Sequence, residues 1–233
     1  MSAFPRYAIY YAPRPASDLW LFGSTLLGYD AYTASSAPFP ADALQTAPDW
    51  RELSADPRKY GFHATLKAPL SLADGKTEAE LVAACAAFAA KARPIPVIRP
   101  IVDAISGFLA VIPAGISTPL QQLAADCVRD FDAFRGPLTA ADRERRSPEL
   151  LTARQREYLD RWGYPYVMEE FRFHMTLTGR LDEARRGQVL EMLRTQLAQL
   201  RLEALPIDRI ALFRQDASDS RFGIIGSWQL QSH

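Results

Sequence analysis

The sequence predicts an α+β fold of two lobes, in which two antiparallel sheets line a central cleft and helices lie outside. One order of elements occurs twice along the chain: a strand with the pattern Phe-His-x-Thr-Leu, a helix, and then two strands. The two copies of the pattern, around His63 and His174, stand about half the chain apart. Between them lies a highly charged, helix-prone segment, residues 136–166, which we predict to be a helical insertion. The 233 residues are therefore expected to form a single bilobal domain.

Hydrophobic periodicity, caps and turn residues predict the elements of the first half. They are, in chain order, a strand in RYAIYYAP (6–13), a helix capped by Ser17 that ends near Leu27, a mostly irregular stretch with a helical turn near Trp50 (30–58), a strand in GFHATLKA (61–68), a helix capped by Thr77, and two strands joined at Ser106-Gly107 (96–113). The motif of the first lobe occupies about residues 60–70, where Pro69 ends the strand.

The same signals predict the elements of the second half. They are a helix in STPLQQLAADCVRDFDAF (117–134), the insertion, which Pro148 splits, a strand in EEFRFHMTLTGRL (169–181), a long helix capped by Asp182, and two strands around a turn at 216–221. The motif of the second lobe occupies about residues 171–181. The order of elements after each motif is therefore the same.

Composition favours a soluble protein of the cytoplasm. The formal net charge is zero, which speaks against broad binding to a nucleic-acid backbone, although a local basic patch stays possible. Cys85 and Cys127 fall in helix-like segments without a CxxC pair, so we expect buried free thiols and no structural zinc. No apolar run approaches the roughly 20 residues of a membrane helix, and the first residues lack the features of a signal peptide. A reducing cytoplasm is the expected location.

Each motif has one polar and one apolar face, because side chains two apart along a strand point the same way. The polar faces carry matching sets, namely His63, Thr65 and Lys67 in the first motif and Arg172, His174 and Thr176 in the second. The chain has three histidines, and the third is the last residue, His233. Both internal histidines therefore have the same types of neighbouring residue in sequence, and both lie on the polar face of their strand.

If the two strands lie side by side, their polar faces line one cleft that is suited to cleaving a phosphodiester. One histidine would act as general base and the other, protonated, as general acid, since the pKa of free histidine is about 6.5. The threonines would donate to phosphate oxygens, while Lys67 and Arg172 would offset the developing charge. Tyr7, Arg58 and Tyr60 are further candidates near the cleft. The scheme requires no metal and no cofactor.

Two other enzyme classes fit the sequence less well. A metal hydrolase lacks support because there is no HExxH pattern and a catalytic zinc usually has three protein ligands. Ser-His-Asp chemistry lacks its GxSxG turn. A non-catalytic module that binds a nucleotide or an RNA end on the same fold remains the alternative.

The paired motifs, with the flanking segments RYAIYYAP, LWLFGSTLLGYD, DPRKYGFHATLKAPL and FRFHMTLTGRL, resemble the 2H phosphoesterase superfamily. Within it, the chain is most similar to a bacterial branch associated with phosphonate metabolism operons. The resemblance covers most of the chain and implies a duplicated fold. It also implies that His63, Thr65, His174 and Thr176 form the catalytic and phosphate-binding set.

The resemblance implies a phosphoric diester hydrolase that acts without metal. The expected partner is a small phosphorylated substrate, either a cyclic phosphate or a phosphodiester, and a phosphoribosyl compound of phosphonate metabolism is one candidate. Nucleic acid is a less favoured partner because of the neutral net charge. The oligomeric state, and which histidine is acid and which is base, are left open.

Overall fold

The structure, a computed structural model, describes residues 4–232, so that His233 lies outside the described residues. The strands are β1 (Arg6–Tyr11), β2 (Tyr29–Asp30), β3 (Ser35–Ser36), β4 (Ala64–Ser71), β5 (Val97–Ile98), β6 (Pro100–Ile105), β7 (Phe108–Pro113), β8 (Met175–Arg180), β9 (Leu205–Pro206), β10 (Arg209–Gln215) and β11 (Gly223–Gln229). The helices are α1 (Asp18–Leu27), α2 (Ala41–Thr46), α3 (Trp50–Leu53), α4 (Ala55–Arg58), α5 (Glu78–Ala90), α6 (Thr118–Asp130), α7 (Ala140–Glu144), α8 (Ala153–Trp162) and α9 (Glu183–Gln199).

The predicted caps account for the helix boundaries. Ser17 accepts a hydrogen bond from the backbone of α1, and Gly28 ends that helix in the left-handed region. Thr77 and Glu80 form a reciprocal capping box at the start of α5. Asp182 caps α9 through its side chain. Local sequence chemistry therefore determines where these helices begin.

One seven-stranded antiparallel sheet forms the centre, in the order β11-β10-β1-β4-β8-β7-β6. The α+β class is confirmed, whereas the expectation of two separate sheets is wrong. The two motif strands β4 and β8 join the halves of the sheet, through the pairing of Ala64 with Met175 in the described chain. Because this pairing is so short, the halves remain distinct groups of strands on either side of the motifs. The duplication itself stays a prediction.

The two halves of the chain exchange strands across the sheet. β10 and β11, from the end of the chain, extend the group that contains β1 and β4. β6 and β7, from the first half, pair with β8 of the second motif. No single cut in the sequence separates the two groups of strands, and the single bilobal domain stays a prediction.

Helices pack against the sheet and complete the core. α5 lies against β10 and β11, α6 against β4, and α9 against β6. The apolar faces predicted for the motifs are buried, including Phe62, Leu66, Phe173 and Met175. None of the helices formed by residues 4–232 combines the length and the apolar character that a membrane-spanning helix needs.

Residues 30–58 differ from the sequence prediction, since α2, α3 and α4 occupy much of a stretch predicted to be mostly irregular. Tertiary contacts hold these short helices. The buried Trp50 indole donates to the Leu26 carbonyl at 2.7 Å, and the Arg58 guanidinium donates to the Leu27 carbonyl at 2.6 Å. Helices of four to six residues are too short to show a 3.6-residue period.

Candidate active site

His63 lies immediately before β4, and the bend that precedes it requires a glycine. Gly61 has a φ of +74°, and a Cβ at this position would lie 2.8 Å from the Ala31 Cβ. Its carbonyl accepts a hydrogen bond from His63 Nδ1 at 2.9 Å. The Tyr10 ring stacks on the imidazole with centroids 3.9 Å apart and planes 25° apart. The first histidine is therefore held by its own backbone on one side and by β1 on the other.

His174 lies immediately before β8 and makes the corresponding hydrogen bond. Its Nδ1 donates to the Arg172 carbonyl, again two residues earlier, at 2.7 Å. The Phe108 ring is 5.6 Å away, centroid to centroid. Because a carbonyl can only accept, both histidines carry their proton on Nδ1 when neutral, which leaves Nε2 of each ring as an acceptor.

Burial lowers the pKa of both imidazoles. The pKa of His63 falls from 6.5 to about 4, mainly through desolvation and to a lesser extent through the charge of His174, against the raising effect of the Gly61 carbonyl. Desolvation also lowers the pKa of His174, against the raising effect of the Arg172 carbonyl. Both rings are therefore neutral at pH 7 until an anion enters the site.

Two adjacent cavities hold the motif residues. The larger, about 440 Å³, is lined by His174, Arg172 and Thr65. The smaller, about 260 Å³, is lined by His63, Thr176 and Tyr60. Each histidine thus shares a cavity with the threonine of the other motif.

Phe108 and Arg180 line both cavities and so mark where they adjoin. The Arg180 guanidinium has no ion-pair or hydrogen-bond partner within the described chain. An exposed cation at the junction of the two histidine cavities is free to meet an anionic ligand. Arg180 follows His174 by six residues, so the two-residue alternation along the strand puts it on the same face. The sequence therefore contained a signal for this residue.

Lys67 does not face the cleft as the alternation predicted. Its ammonium is buried, 2.7 Å from the Asp132 carboxylate and 2.9 Å from the Val128 carbonyl. The pairing of β4 with β1 shifts register between Thr65 and Lys67, as in a β-bulge, so the two residues no longer obey a strict two-residue period. Lys67 is therefore left out of the site proposed below.

Two other sequence candidates also lie away from the histidines. The Tyr7 hydroxyl donates to Glu78 of α5 at 2.8 Å, and burial raises its pKa to about 12. Arg58 donates to backbone carbonyls of Leu27 and Arg51, both at 2.6 Å. The polar groups of Tyr7 and Arg58 thus form hydrogen bonds within the fold, so neither residue is kept as a candidate for binding a ligand.

Tyr60 is the remaining candidate, and the structure places it in the cleft. Its ring centroid is 5.9 Å from that of His63, and it lines the smaller cavity. The neighbour on the other side of His63 is Tyr10, which sequence reasoning missed because Tyr7 and Tyr10 lie on opposite faces of β1. No short-range pattern distinguishes which face of a strand rich in tyrosine will meet the cleft.

The residues 4–232 contain no group of three or more His, Cys, Asp or Glu side chains placed to hold a metal ion. Cys85 and Cys127 are free and buried, as expected, and burial raises the pKa of both thiols. The polar groups that converge on the cleft are imidazole, hydroxyl and guanidinium. Such a set suits an anionic ligand rather than a cation.

Comparison with known proteins identifies the family. The sequence model of the family described as "Protein of unknown function (DUF1045)" matches residues 65–223. The chain belongs to the DUF1045 family. The matched region contains Thr65, His174, Thr176 and Arg180 and begins two residues after His63.

Two curated proteins resemble this DUF1045 chain over part of their length. Both are named ribose 1,5-bisphosphate phosphokinase PhnN. The protein of Janthinobacterium sp. (strain Marseille) is 40% identical over 185 residues, which is 77% of this chain and 40% of that protein. The protein of Laribacter hongkongensis (strain HLHK9) is 37% identical over 179 residues, which is 76% of this chain and 41% of that protein. The chain thus spans about two fifths of the length of these relatives.

Proposed function

We propose that this chain is a phosphoesterase that opens a small cyclic phosphate without a metal ion, with His63 and His174 as general base and general acid. The observation that carries the proposal is the matched pair of hydrogen bonds from Nδ1. Each ring is held by the carbonyl two residues before it, at 2.9 Å and 2.7 Å, and each presents Nε2 away from that anchor. Two such rings on neighbouring strands supply both proton-transfer groups of the reaction.

The reaction consumes one water and leaves the protein with the same number of protons. One Nε2 takes a proton from water while the water oxygen forms a bond to phosphorus. The bond from phosphorus to one ring oxygen breaks, and that oxygen receives a proton from the other Nε2. The product is a phosphomonoester with a free hydroxyl, and a proton exchange between the histidines and solvent restores the starting state.

Hydroxyl and guanidinium groups would stabilise the charge that builds up on the phosphate oxygens. Thr65 Oγ1 lies 3.4 Å from His63 Nε2, so one phosphate can touch both. Thr176 lines the same cavity as His63, and Arg180 lines both cavities. We assign the charge-offsetting role to Arg180 and Arg172, since the described chain gives neither guanidinium an acidic partner.

An anion in this cleft also adjusts the proton balance of the two histidines. Both have lowered pKa values in the free protein. A negative phosphate nearby favours the charged imidazolium, so its binding raises the pKa of the histidine beside it. Substrate binding would thereby create the one protonated and one neutral ring that the reaction needs.

The favoured substrate is a ribosyl cyclic phosphate. Opening the ring of a ribosyl 1,2-cyclic phosphate at O2 leaves the phosphate on O1. A ribose with a phosphate on O1 is part of the compound in the name of the two PhnN relatives, ribose 1,5-bisphosphate. This relation between the expected product and the compound in the relatives' name supports the choice of a ribosyl substrate, in keeping with a role in phosphonate metabolism.

The test is turnover of cyclic phosphates in the presence of EDTA, followed by phosphorus NMR. The panel contains ribosyl 1,2-cyclic phosphates and nucleoside 2′,3′-cyclic phosphates. We expect turnover that His63→Ala and His174→Ala each abolish and that Tyr7→Phe, a change away from the cleft, leaves intact. Turnover that requires a metal ion, or that survives both histidine changes, contradicts the proposal.

The name of the relatives raises kinase activity as a second candidate. That name belongs to proteins of which this chain matches about two fifths. The phosphate-binding pattern G-x-x-x-x-G-K-[ST] is incomplete here, because Gly75-Lys76-Thr77 is preceded by Leu70 where the first glycine is required. Thr77 instead caps α5 and bonds Glu80. Phosphate transfer from ATP to ribose 1,5-bisphosphate by this chain would favour the kinase.

The histidine variants distinguish an enzyme from a module that binds the same ligand without turnover. A binder has no rate to lose, whereas an enzyme loses rate by far more than affinity. Calorimetric titration of the wild type and of His174→Ala with a ribosyl cyclic phosphate measures the affinities. Equal binding with no turnover by either protein would favour the module.

A further inference from the structure

The helical insertion, residues 136–166, contributes side chains to the cleft beyond the two motifs. Tyr164 lines the larger cavity together with His174. The guanidinium of Arg146 lies over the Tyr164 ring, 4.8 Å from its centroid. Arg143 and Arg145, in the same segment, ion-pair with aspartates, but Arg146 has no acidic partner within residues 4–232. An aromatic ring, rather than a carboxylate, therefore holds this cation at the edge of the cleft.

A second cation approaches from β1. The guanidinium of Arg6 bonds the side-chain oxygen of Gln215, with Nε at 3.0 Å, so its partner is neutral. The charges of Arg6 and Arg146 both act on Tyr10, the tyrosine stacked on His63, and favour its ionised form although burial raises its pKa overall. Asp142, whose charge acts on Arg6, is ion-paired with Arg145. The Arg6 guanidinium also lies 5.7 Å from the centroid of the Phe222 ring, which stacks on Tyr60 beside His63.

Two tyrosine hydroxyls accompany these cations. Tyr60 and Tyr164 belong to different elements, and the charge of Tyr60 acts on Tyr164. Neither hydroxyl has a hydrogen-bond partner among the residues that the structure describes. Phenol hydroxyls without an internal partner, and guanidinium groups without an acidic one, can donate to the oxygens of a ligand.

These donors exceed what the proposed reaction needs. A cyclic phosphate carries a single negative charge, and the proposed reaction already assigns Thr65, Thr176, Arg172 and Arg180 to it. The formal net charge of the whole chain is zero, so the gathering of guanidinium groups without acidic partners around one cleft is a local feature. A terminal phosphomonoester, which carries up to two negative charges, matches the additional donors.

We propose that Arg146 and Tyr164 of the insertion, together with Arg6 and Tyr60, form a second phosphate subsite. The substrate class is then a sugar cyclic phosphate that also bears a terminal phosphomonoester. The inference rests on the proposed function, which supplies the cyclic phosphate as the reacting group. The role that it gives to the insertion is to select substrates that carry a second phosphate.

The test compares ribosyl 1,2-cyclic phosphate with its 5-phosphorylated form as substrates. We expect kcat/KM to be at least about tenfold higher for the 5-phosphorylated compound, the scale of one charge-assisted hydrogen bond. Arg146→Met should remove most of that preference and leave the other substrate unaffected. Arg143→Met, a matched change at an arginine paired with Asp160, should keep the preference. Equal kcat/KM for the two substrates, or equal effects of the two variants, overturns the proposal.

A binding measurement separates this proposal from the proposed reaction. Ribose 5-phosphate, which lacks the cyclic phosphate, is titrated into the wild type, Arg146→Met, Arg143→Met and Tyr164→Phe. Weaker binding to Arg146→Met and Tyr164→Phe alone supports the subsite even if no cyclic phosphate is turned over. Absence of binding to the wild type at millimolar concentration, or no loss in Arg146→Met, overturns the subsite even if turnover is found.

Discussion

The two histidine motifs share one hydrogen bond but stand in different surroundings. In both, Nδ1 donates to the carbonyl two residues earlier. His63 is enclosed by aromatic rings, with Tyr10 stacked at 3.9 Å and Tyr60 and Phe213 about 6 Å away. His174 has Phe108 at 5.6 Å and follows the exposed Arg172. The backbone thus sets the same orientation twice, and the neighbours make the two rings chemically different.

This difference bears on which histidine is the acid. Aromatic enclosure disfavours the charged imidazolium, and the pKa of His63 falls to about 4. His174 lies beside guanidinium groups that would hold the phosphate. A ring that resists protonation suits the base, and a ring that shares its cavity with the anion suits the acid. The comparison therefore predicts His63 as base and His174 as acid.

The largest expected effect comes from deleting either ring. His63→Ala and His174→Ala should each lower kcat by about 10² to 10⁴, the usual contribution of a positioned acid or base. If the roles are those inferred here, a substrate with a leaving group of low pKa should rescue His174→Ala and leave His63→Ala inactive. Rates of the two variants with an aryl phosphodiester measure this. Rescue of His63→Ala alone would reverse the assignment.

The next effect is the dependence of kcat/KM on pH, which reports the free protein. The base must be neutral, so activity should fall as the pH drops through about 4, the pKa of His63. The acid must be protonated, so activity should fall as the pH rises through the pKa of His174, which lies below 6.5. The optimum of kcat/KM is therefore expected between about 4 and 6.5, from initial rates in buffers of constant ionic strength. An optimum above pH 7 would contradict the environment found for both rings.

How far the sequence predicts this site depends on the range of the interactions involved. Period-two alternation is local, and it correctly brought His63, Thr65, His174 and Thr176 to one pair of adjoining cavities. The same rule failed at Lys67, because a register shift between β1 and β4 intervenes and the Asp132 carboxylate captures the ammonium.

The fold shows the same limit. Caps at Ser17, Thr77 and Asp182 are local and were correct. The joining of two expected sheets into one depends on the pairing of Ala64 with Met175, which are remote in sequence. Two of the rings around His63, Tyr10 of β1 and Phe213 of β10, are likewise remote from it in sequence, and no spacing within the motif encodes them. Contacts of this kind require the three-dimensional arrangement.

A smaller effect is expected at the residue that precedes each histidine by two. Gly61→Ala should lower the free energy of unfolding by about 1–2 kcal/mol because a side chain disfavours the left-handed region, and contact with Ala31 should add to this. Arg172→Ala keeps the carbonyl that His174 uses and should leave stability nearly unchanged. Urea unfolding of the two variants measures the difference. Equal stability of both would show that the Gly61 bend is not constrained as the structure indicates.

The smallest effect concerns stability in acid and compares the two rings directly. A histidine whose pKa is lowered in the folded protein binds its proton more readily when unfolded, so its contribution to stability is complete above pH 6.5 and is lost as the pH falls toward the folded value. For His63 that window runs from 6.5 to about 4, so that only part of the loss falls between pH 7 and pH 5. The difference in Tm between pH 7 and pH 5 should therefore be smaller in His63→Gln than in the wild type, and His174→Gln should reduce it less. An equal reduction of the Tm difference in both variants would mean that the aromatic enclosure of His63 does not distinguish the two rings. The assignment of His63 as base and His174 as acid would then have no physical support.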